Sequence, residues 1–408
     1  MCAIILSLSY RALFYSKEVS IYIMSEKRKD KKGRVLKSGE SRRPNGTYQY
    51  RYNDIRGKRQ YVYAPTLAKL REKEDEIAKA KLSGIDYSAG TITILELARR
   101  YTSYKTGVRY NTRLNYGFVL GLMEKEDFCY RQIRSVKMSE AKEWFIKLNE
   151  DGRRYCSIQS IRSVLKPAFD MAVEEDILVK NPFAFTLTNV VANDTVERKA
   201  LTDTEVNNLL AYVQSDEHRS KYYDEIVILL GTGMRISELY GLTIADVDFH
   251  LRRLRVERQL GRRNNCEYYT EKTKTASGQR FIPLDDTTCQ AFKRVIKNRR
   301  TPKVEMMIDG HTGFLFLDKD NKPKVAMHLE HAMKYMVDKY NAAHTDKLIV
   351  TPHVLRHTFC TRMARAGMPI KELQYIMGHS DVETTLNVYT HMSFDAAEKA
   401  FEKITASG

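Results

Sequence analysis

The sequence predicts a multidomain chain, mainly α with small antiparallel sheets. Three observations predict it. At 408 residues the chain exceeds what one compact domain usually holds, so two to four domains are expected. Strand-like alternation occurs in a short basic stretch around Tyr48, with further short strand-like runs between Leu254 and Leu284. Elsewhere apolar residues recur at three- and four-residue spacing behind helix-start signals.

Residues 1–24 read as an extension. Met1 to Ile23 is apolar, but Arg11, Lys17 and Glu18 interrupt it. No run reaches the roughly 20 residues that a membrane span needs. The charge-free opening also lacks the basic start of a secretory signal. At Met24 the composition switches to Ser25-Glu26-Lys27-Arg28-Lys29, which makes Met24 the expected natural start, with a genuine N-terminal tail as the alternative.

Residues 25–85 form a small basic module. Ser25 to Tyr63 holds thirteen Lys and Arg against four Asp and Glu, an excess of about half the formal net charge of +17. Tyr48 to Asn53 alternates aromatic and polar residues, the period of a strand with one buried face. Asp54-Ile55-Arg56-Gly57 reads as a turn and Lys58 to Tyr63 as the returning strand, with Tyr61 and Tyr63 on one face. A helix follows, from about Thr66 to Leu82. Such a sheet, with Arg51, Lys58 and Arg59 near its strands, can lay a β-ribbon into a DNA groove. Merely solvated charge is the alternative.

Residues 90–185 read as helical. Thr93-Ile94-Leu95-Glu96 is a capping box, and Ser139 is a candidate cap for the helix containing Trp144. Ile158, Ile161, Leu165, Phe169 and Val173 mark one buried stripe, better explained as core than as a ligand pocket. Lys105, Arg109, Arg113, Arg153, Arg154 and Arg162 lie near predicted helix ends or polar faces, where they are candidates for phosphate contact. Asn181-Pro182 closes the region, because proline disfavours helix at the residue before it. Val190 to Lys199 reads as a linker.

Residues 198–408 form a larger, mixed α/β domain that opens on a second capping box, Thr202-Asp203-Thr204-Glu205. Leu254 to Val256, Tyr268 to Thr270 and Arg280 to Leu284 suggest a small antiparallel sheet, with a hairpin turn at Thr275 to Gly278 joining the last two strands.

The positive balance points to a polyanionic partner, nucleic acid first and an anionic membrane surface second. The six cysteines form no CxxC pair and no zinc-spaced cluster with histidine, which suits reduced thiols in a cytosolic protein. The ten histidines include no HExxH, so no structural metal is indicated.

Three stretches carry chemistry. In Gly231-Thr232-Gly233-Met234-Arg235-Ile236-Ser237-Glu238-Leu239, two glycines break an apolar run, and Arg235 and Glu238 sit three apart at a new helix start. Taken alone, this reads best as a structural ion pair. In Thr351-Pro352-His353-Val354-Leu355-Arg356-His357, proline suits the first turn of a helix, and His353 and Arg356 share a face. They offer an imidazole and a bidentate guanidinium to one target, whereas His357 falls off that face and reads as structural. In the third, Gly378 fits a helix stop, Ser380 or Asp381 can cap the next helix, and that helix ends near Tyr389. One of 25 tyrosines is a weak candidate by itself.

The order Arg, Lys, HxxR, His, Tyr along the chain resembles the tyrosine recombinase/integrase family. Gly-Met-Arg-Ile-Ser-Glu-Leu, His-Val-Leu-Arg-His-Thr-Phe and Met-Gly-His-Ser-Asp with Tyr-Thr-His carry the resemblance over about Lys199 to Met392. Upstream, the start at Met24, the basic module and Ala141-Lys142-Glu143-Trp144 are similar to integrases of conjugative transposons. That resemblance implies an arm-DNA-binding module, a core-binding helical domain and a catalytic domain. It implies that Arg235 and Arg356 clamp the scissile phosphate, that Lys274 (with Lys272 as its rival) protonates the leaving 5′ oxygen, and that His353 serves proton transfer with Tyr389. It further implies that His379 donates a hydrogen bond to the phosphate, that Glu238 supports Arg235, and that Tyr389 is the nucleophile.

The same resemblance implies double-stranded DNA as partner, at core and arm sites of the element ends and at target DNA. It also implies a homo-tetramer on DNA, an excision accessory protein, and a DNA-associated life in a bacterial cytoplasm without cofactor or membrane. Phe394, Ala397, Phe401 and Ile404 have helical apolar spacing, for packing on a neighbouring subunit or on their own domain. The alternatives are a relaxing type IB topoisomerase, and a DNA-binding regulator that kept the fold without activity.

Overall fold

A computed structural model describes residues 28–54, 57–195, 199–272 and 278–389. Side chains from residue 387 onward lie outside that description, as do residues 1–27 with the Met24 start, Lys274 and the apolar C-terminal stretch. The fold is mixed, mainly helical with small antiparallel sheets, and it divides into two compact units, residues 1–196 and 197–408.

The first unit opens with a three-stranded antiparallel sheet of β1 (Glu40–Arg42), β2 (Tyr48–Asn53) and β3 (Arg59–Ala64), backed by helix α1 (Leu67–Leu82). The β2–β3 hairpin is where alternation placed it, whereas β1 is too short to show a period. Thr66 caps α1 by accepting the Lys69 amide. Tyr48, Ala64, Leu67 and Leu70 form the small core. The remainder of the unit is helical: α2 (Ile94–Tyr104), α3 (Tyr110–Met123), α4 (Met138–Glu150) and α5 (Tyr155–Glu174). The capping box at Thr93 and Glu96 is present. Ser139 is not a cap; α4 starts one residue earlier, and the Glu140 carboxylate reaches back to accept the Lys137 amide. Ile158, Ile161, Leu165 and Phe169 are fully buried along α5, each stabilising the core by about 1.5–3 kcal/mol relative to an exposed side chain. Helix α5 stops at Glu174, ahead of Asn181-Pro182, and the chain beyond it still feeds the core through Phe183, Phe185, Leu187 and Val191.

The second unit is built around α7 (Tyr223–Thr232), in which Ile226 to Leu230 are all buried. Helix α6 (Asp203–Ser215) precedes it behind the Thr202 capping box, and the short α8 (Ile236–Tyr240) follows. Of the two glycines, Gly231 does not break the run. It lies inside α7, where a Cβ would sit 2.1 Å from Thr288 Oγ1 on α9 (Asp286–Asn298), so its role is close helix approach. Gly233 does end the helix, in a left-handed conformation at φ 62°.

The strands pair differently from expectation. β4 (Val247–Asp248), β5 (Arg253–Val256) and β8 (Arg280–Pro283) form one antiparallel sheet, while β6 (Arg258–Arg262) pairs with β7 (Tyr268–Lys272) in a second. Tyr268 to Thr270 therefore joins a local hairpin with β6 and is not hydrogen-bonded to Arg280–Pro283. The tight turn at Arg263–Glu267, with Cys266 at φ 65°, closes that hairpin. The remaining α-helices among the described residues are α10 (Ala326–Ala343), α11 (Pro352–Arg365), α12 (Ile370–Met377) and α13 (Val382–Tyr389).

Candidate active site and DNA-facing surface

Arg235 is the N-cap residue of α8, and the Glu238 carboxylate closes the cap by accepting the Arg235 amide at 2.9 Å. The same carboxylate accepts Arg235 Nη1 at 2.8 Å, and Arg235 Nη2 donates to the Gly378 carbonyl at 3.1 Å. The Arg235 side chain stays 34% exposed, so part of its guanidinium can face a ligand. Arg356 on α11 is 4% exposed; it donates to the Gly233 carbonyl at 2.8 Å and to the Met377 carbonyl at 2.6 Å. Met377 and Gly378 end α12, whose free carbonyls attract cations. One helix C-terminus thus holds both arginines. Burial, and then the nearby charge of Arg235, lower the Arg356 pKa to about 9, which leaves it charged at neutral pH.

His353, one turn before Arg356, is exposed. Arg235, His353 and Arg356 line a common cavity of about 750 Å³, whose other wall is α10 and the Leu348–Thr351 segment. His357 is half-buried on α11 and is not among the residues lining this cavity. His379 follows the left-handed Gly378, and its Nδ1 lies 2.9 Å from Thr385 Oγ1 on α13. Burial, followed by the charges of Arg356 and Arg235, lowers its pKa to about 4. The imidazole is therefore neutral at physiological pH, and in the tautomer whose Nδ1 accepts from the Thr385 hydroxyl its Nε2 is a donor. Tyr389 is the last residue of α13, four residues beyond Thr385; its side chain lies outside the described residues. So does Lys274, whereas Lys272 ends β7 as an exposed residue.

Sequence reading missed two side chains at this centre. Thr385 is fully buried against His379. Arg280, the first residue of β8, is completely enclosed and bonds Glu238 at 2.9 Å. Burial opposes ionisation of Glu238, but Arg280, then Arg235 and Arg356, outweigh it and hold the carboxyl at about 2. Removing one partner of such a buried pair costs about 3–5 kcal/mol. The alternation of β8 was the available signal: Arg280 and Ile282 point inward, and Phe281 points out beneath Arg253.

In the first unit, Arg51, Arg59, Tyr61 and Tyr63 lie on the sheet face away from α1, in register as Arg51 with Tyr61 and Asn53 with Arg59. All four are exposed, and Arg43 lies over the Tyr63 ring at 5.0 Å. Lys58 is exposed in the adjoining turn. Lys105, Arg113 and Arg154 are exposed at or near the ends of α2, α3 and α5, and Arg109 is the half-buried residue before α3. Arg153 is half-buried in an ion pair with Glu126 at 3.2 Å. Arg162 turns inward, donating to the Phe185 carbonyl, so it holds the fold and does not present itself to a phosphate.

This geometry coincides with likeness to known proteins. Residues 199–396 match the Phage integrase family, and residues 24–81 match the DNA binding domain of tn916 integrase. The chain is 43% identical over 395 residues to the transposase from transposon Tn916 of Enterococcus faecalis, covering 93% of this chain and 97% of the relative. It belongs to the tyrosine recombinase/integrase family.

The transposase from transposon Tn1545 of Streptococcus pneumoniae is equally similar, at 43% identity over the same length. Among solved structures, this family member matches the Tn1549 transposon integrase in complex with a circular intermediate DNA at 42% identity and TM-score 0.72, covering 77% of this chain and 99% of that one. A lambda integrase dimer bound to a core site shares the fold at 17% identity and TM-score 0.54, over 87% of this chain and 95% of that one. Among the described residues no helix is long and apolar enough to cross a membrane, and no cluster of His, Cys, Asp and Glu is arranged to hold a metal ion.

Proposed function

We propose that this tyrosine recombinase is the integrase of a conjugative transposon, cutting and rejoining DNA at the element ends to integrate and excise it. The observation that carries the reading is the convergence of Arg235, His353 and Arg356 on one cavity, with neutral His379 held behind the same α12 terminus.

In this reading the Tyr389 phenol attacks the scissile phosphorus. The Tyr Oη–P bond forms, the P–O5′ bond breaks, and the phenolic proton passes to His353. A phenol with pKa near 10 needs such a base or a cationic field. The leaving alkoxide is more basic still and takes its proton from Lys274. Arg235 and Arg356 neutralise the charge gathering on the non-bridging oxygens, and His379 donates from Nε2. The product is a 3′-phosphotyrosine. One P–O bond has been exchanged for another, so a different 5′-hydroxyl can reverse the step without ATP.

Residues 25–85 would engage arm sites through Arg51, Lys58 and Arg59. Residues 90–185, through Lys105, Arg109, Arg113, Arg153 and Arg154, would join the catalytic residues 198–408 on the core site. Pairing of Arg153 with Glu126 makes it the weakest of these candidates. The active assembly is a homo-tetramer on DNA, with an accessory protein for excision, in a bacterial cytoplasm. The test is a plasmid pair, one carrying the joined element ends and the other target DNA. Exchange of strands between the two is expected; supercoil relaxation without exchange would overturn the reading in favour of a topoisomerase.

A further inference from the structure

We infer that Arg280 is a positioning residue for cleavage: its enclosed guanidinium locks the Arg235–Glu238 pair, the end of α12 and the Gly278 backbone ahead of β8 into one frame. The inference rests on the recombinase reading above.

The Arg280 side chain has no exposed surface, so it cannot touch DNA. What it touches instead belongs to three separate parts of the site. Nη2 donates to Glu238 Oε2 at 2.9 Å, on the carboxylate that also takes the Arg235 amide and Nη1. Nε donates to the carbonyl of Ile376, the residue before Met377 and Gly378, whose own carbonyls hold Arg356 and Arg235. Nη1 donates to the Gly278 carbonyl at 3.0 Å, four residues beyond Lys274. A guanidinium offers five donors in a rigid planar fork, so one residue can fix three directions at once. An ammonium carries the same charge, but it is a compact point on a flexible stem without that planar geometry. The fork therefore matters beyond the charge, because a displacement of about 1 Å at reacting groups costs about 100-fold in rate.

A purely structural pair would hold the fold together without favouring one transition state. The experiment separates these roles by the charge on the scissile group. Nicked half-site duplexes from the element ends are made with a phosphodiester or an uncharged methylphosphonate at the scissile position. Covalent adduct formation is followed in single turnover, well below the melting temperature of each protein. Arg280→Lys should bind the duplex with affinity close to that of the unsubstituted chain and cleave the phosphodiester about 100-fold more slowly. On the methylphosphonate the deficit should shrink by about tenfold or more, because a neutral centre asks less of misplaced arginines. Arg280→Gln, which keeps a donor for Glu238, should show the same substrate dependence and serves if Arg280→Lys does not fold. Equal deficits on both linkages, or cleavage undiminished by either substitution, overturn the inference alone. Absence of adduct from the unsubstituted chain on both linkages overturns the recombinase reading, and this inference with it.

Discussion

Arg235 and Arg356 reach the same cavity from different degrees of burial, and this separates their expected phenotypes. Arg235 is a third exposed, whereas Arg356 is enclosed and satisfies two backbone carbonyls. Replacing either by Ala should slow single-turnover cleavage by about 100-fold or more, as loss of a preorganised donor does. Arg356→Ala should also lower the melting temperature more than Arg235→Ala, because it orphans the Gly233 and Met377 carbonyls. Equal melting temperatures would contradict that assignment. His379 gives a pH prediction. Its folded pKa is lowered to about 4 from an ordinary 6.5, so between those values the unfolded chain binds more protons. Its contribution to stability is present above pH 6.5 and is lost as pH falls through about 4. Glu238, held at about 2, adds a loss in the same direction below pH 4.5. The thermal transition of the catalytic unit, which holds both groups, should fall progressively from pH 6.5 to 4, and His379→Gln should flatten that part of the profile. Arg235, Glu238, His353, Arg356 and His379, the motif residues with described side chains, were legible as candidates because each sits in a local signature. Arg280 and Thr385 were not, since their partners lie far away or in the next helix and no spacing within one segment reports them.

At the scale of elements, the turn between α7 and α8 is the most constrained. Gly233 has φ 62°, and a Cβ there would approach Phe359 Cδ1 to 2.3 Å. Gly233→Ala should destabilise the catalytic unit by about 1–3 kcal/mol from backbone strain, with overpacking in addition. Denaturant unfolding measures this, and an unchanged midpoint would contradict it. In the N-terminal module, burial and the adjacent Glu40 raise the Glu74 pKa to about 7. A raised carboxyl favours the folded state below its unfolded value near 4.5, and that benefit is lost as pH rises through 7. Glu74→Gln should therefore raise the melting temperature of the module at pH 8 and have little effect at pH 4.5. The capping boxes at Thr93–Glu96 and Thr202–Glu205 were legible because they are local, whereas the start of α4 was misplaced to Ser139 because its cap is made by Glu140 reaching back to Lys137. Sheet partners were not. Tyr268–Lys272 and Arg280–Pro283 both read as strands, but which strand each pairs with depends on the course of the chain between Arg253 and Arg262.

For the whole molecule, the net charge of +17 and the outward-facing Arg51, Arg59, Tyr61 and Tyr63 predict DNA affinity that falls steeply with salt. Arg51→Ala and Arg59→Ala should each reduce the salt slope at arm sites by about 1 for the phosphate that is no longer neutralised, leaving core-site binding unchanged. An unchanged slope would remove those residues from the DNA-binding face. The recombinase chemistry turns on one tyrosine. A nicked half-site duplex, cut so that the 5′-hydroxyl fragment diffuses away, traps any covalent intermediate, and peptide mass spectrometry then locates it. A 3′-phosphodeoxynucleotide on Tyr389 and no adduct from Tyr389→Phe are the expected results; an adduct that persists in Tyr389→Phe, or maps to another residue, would contradict Tyr389 as the nucleophile.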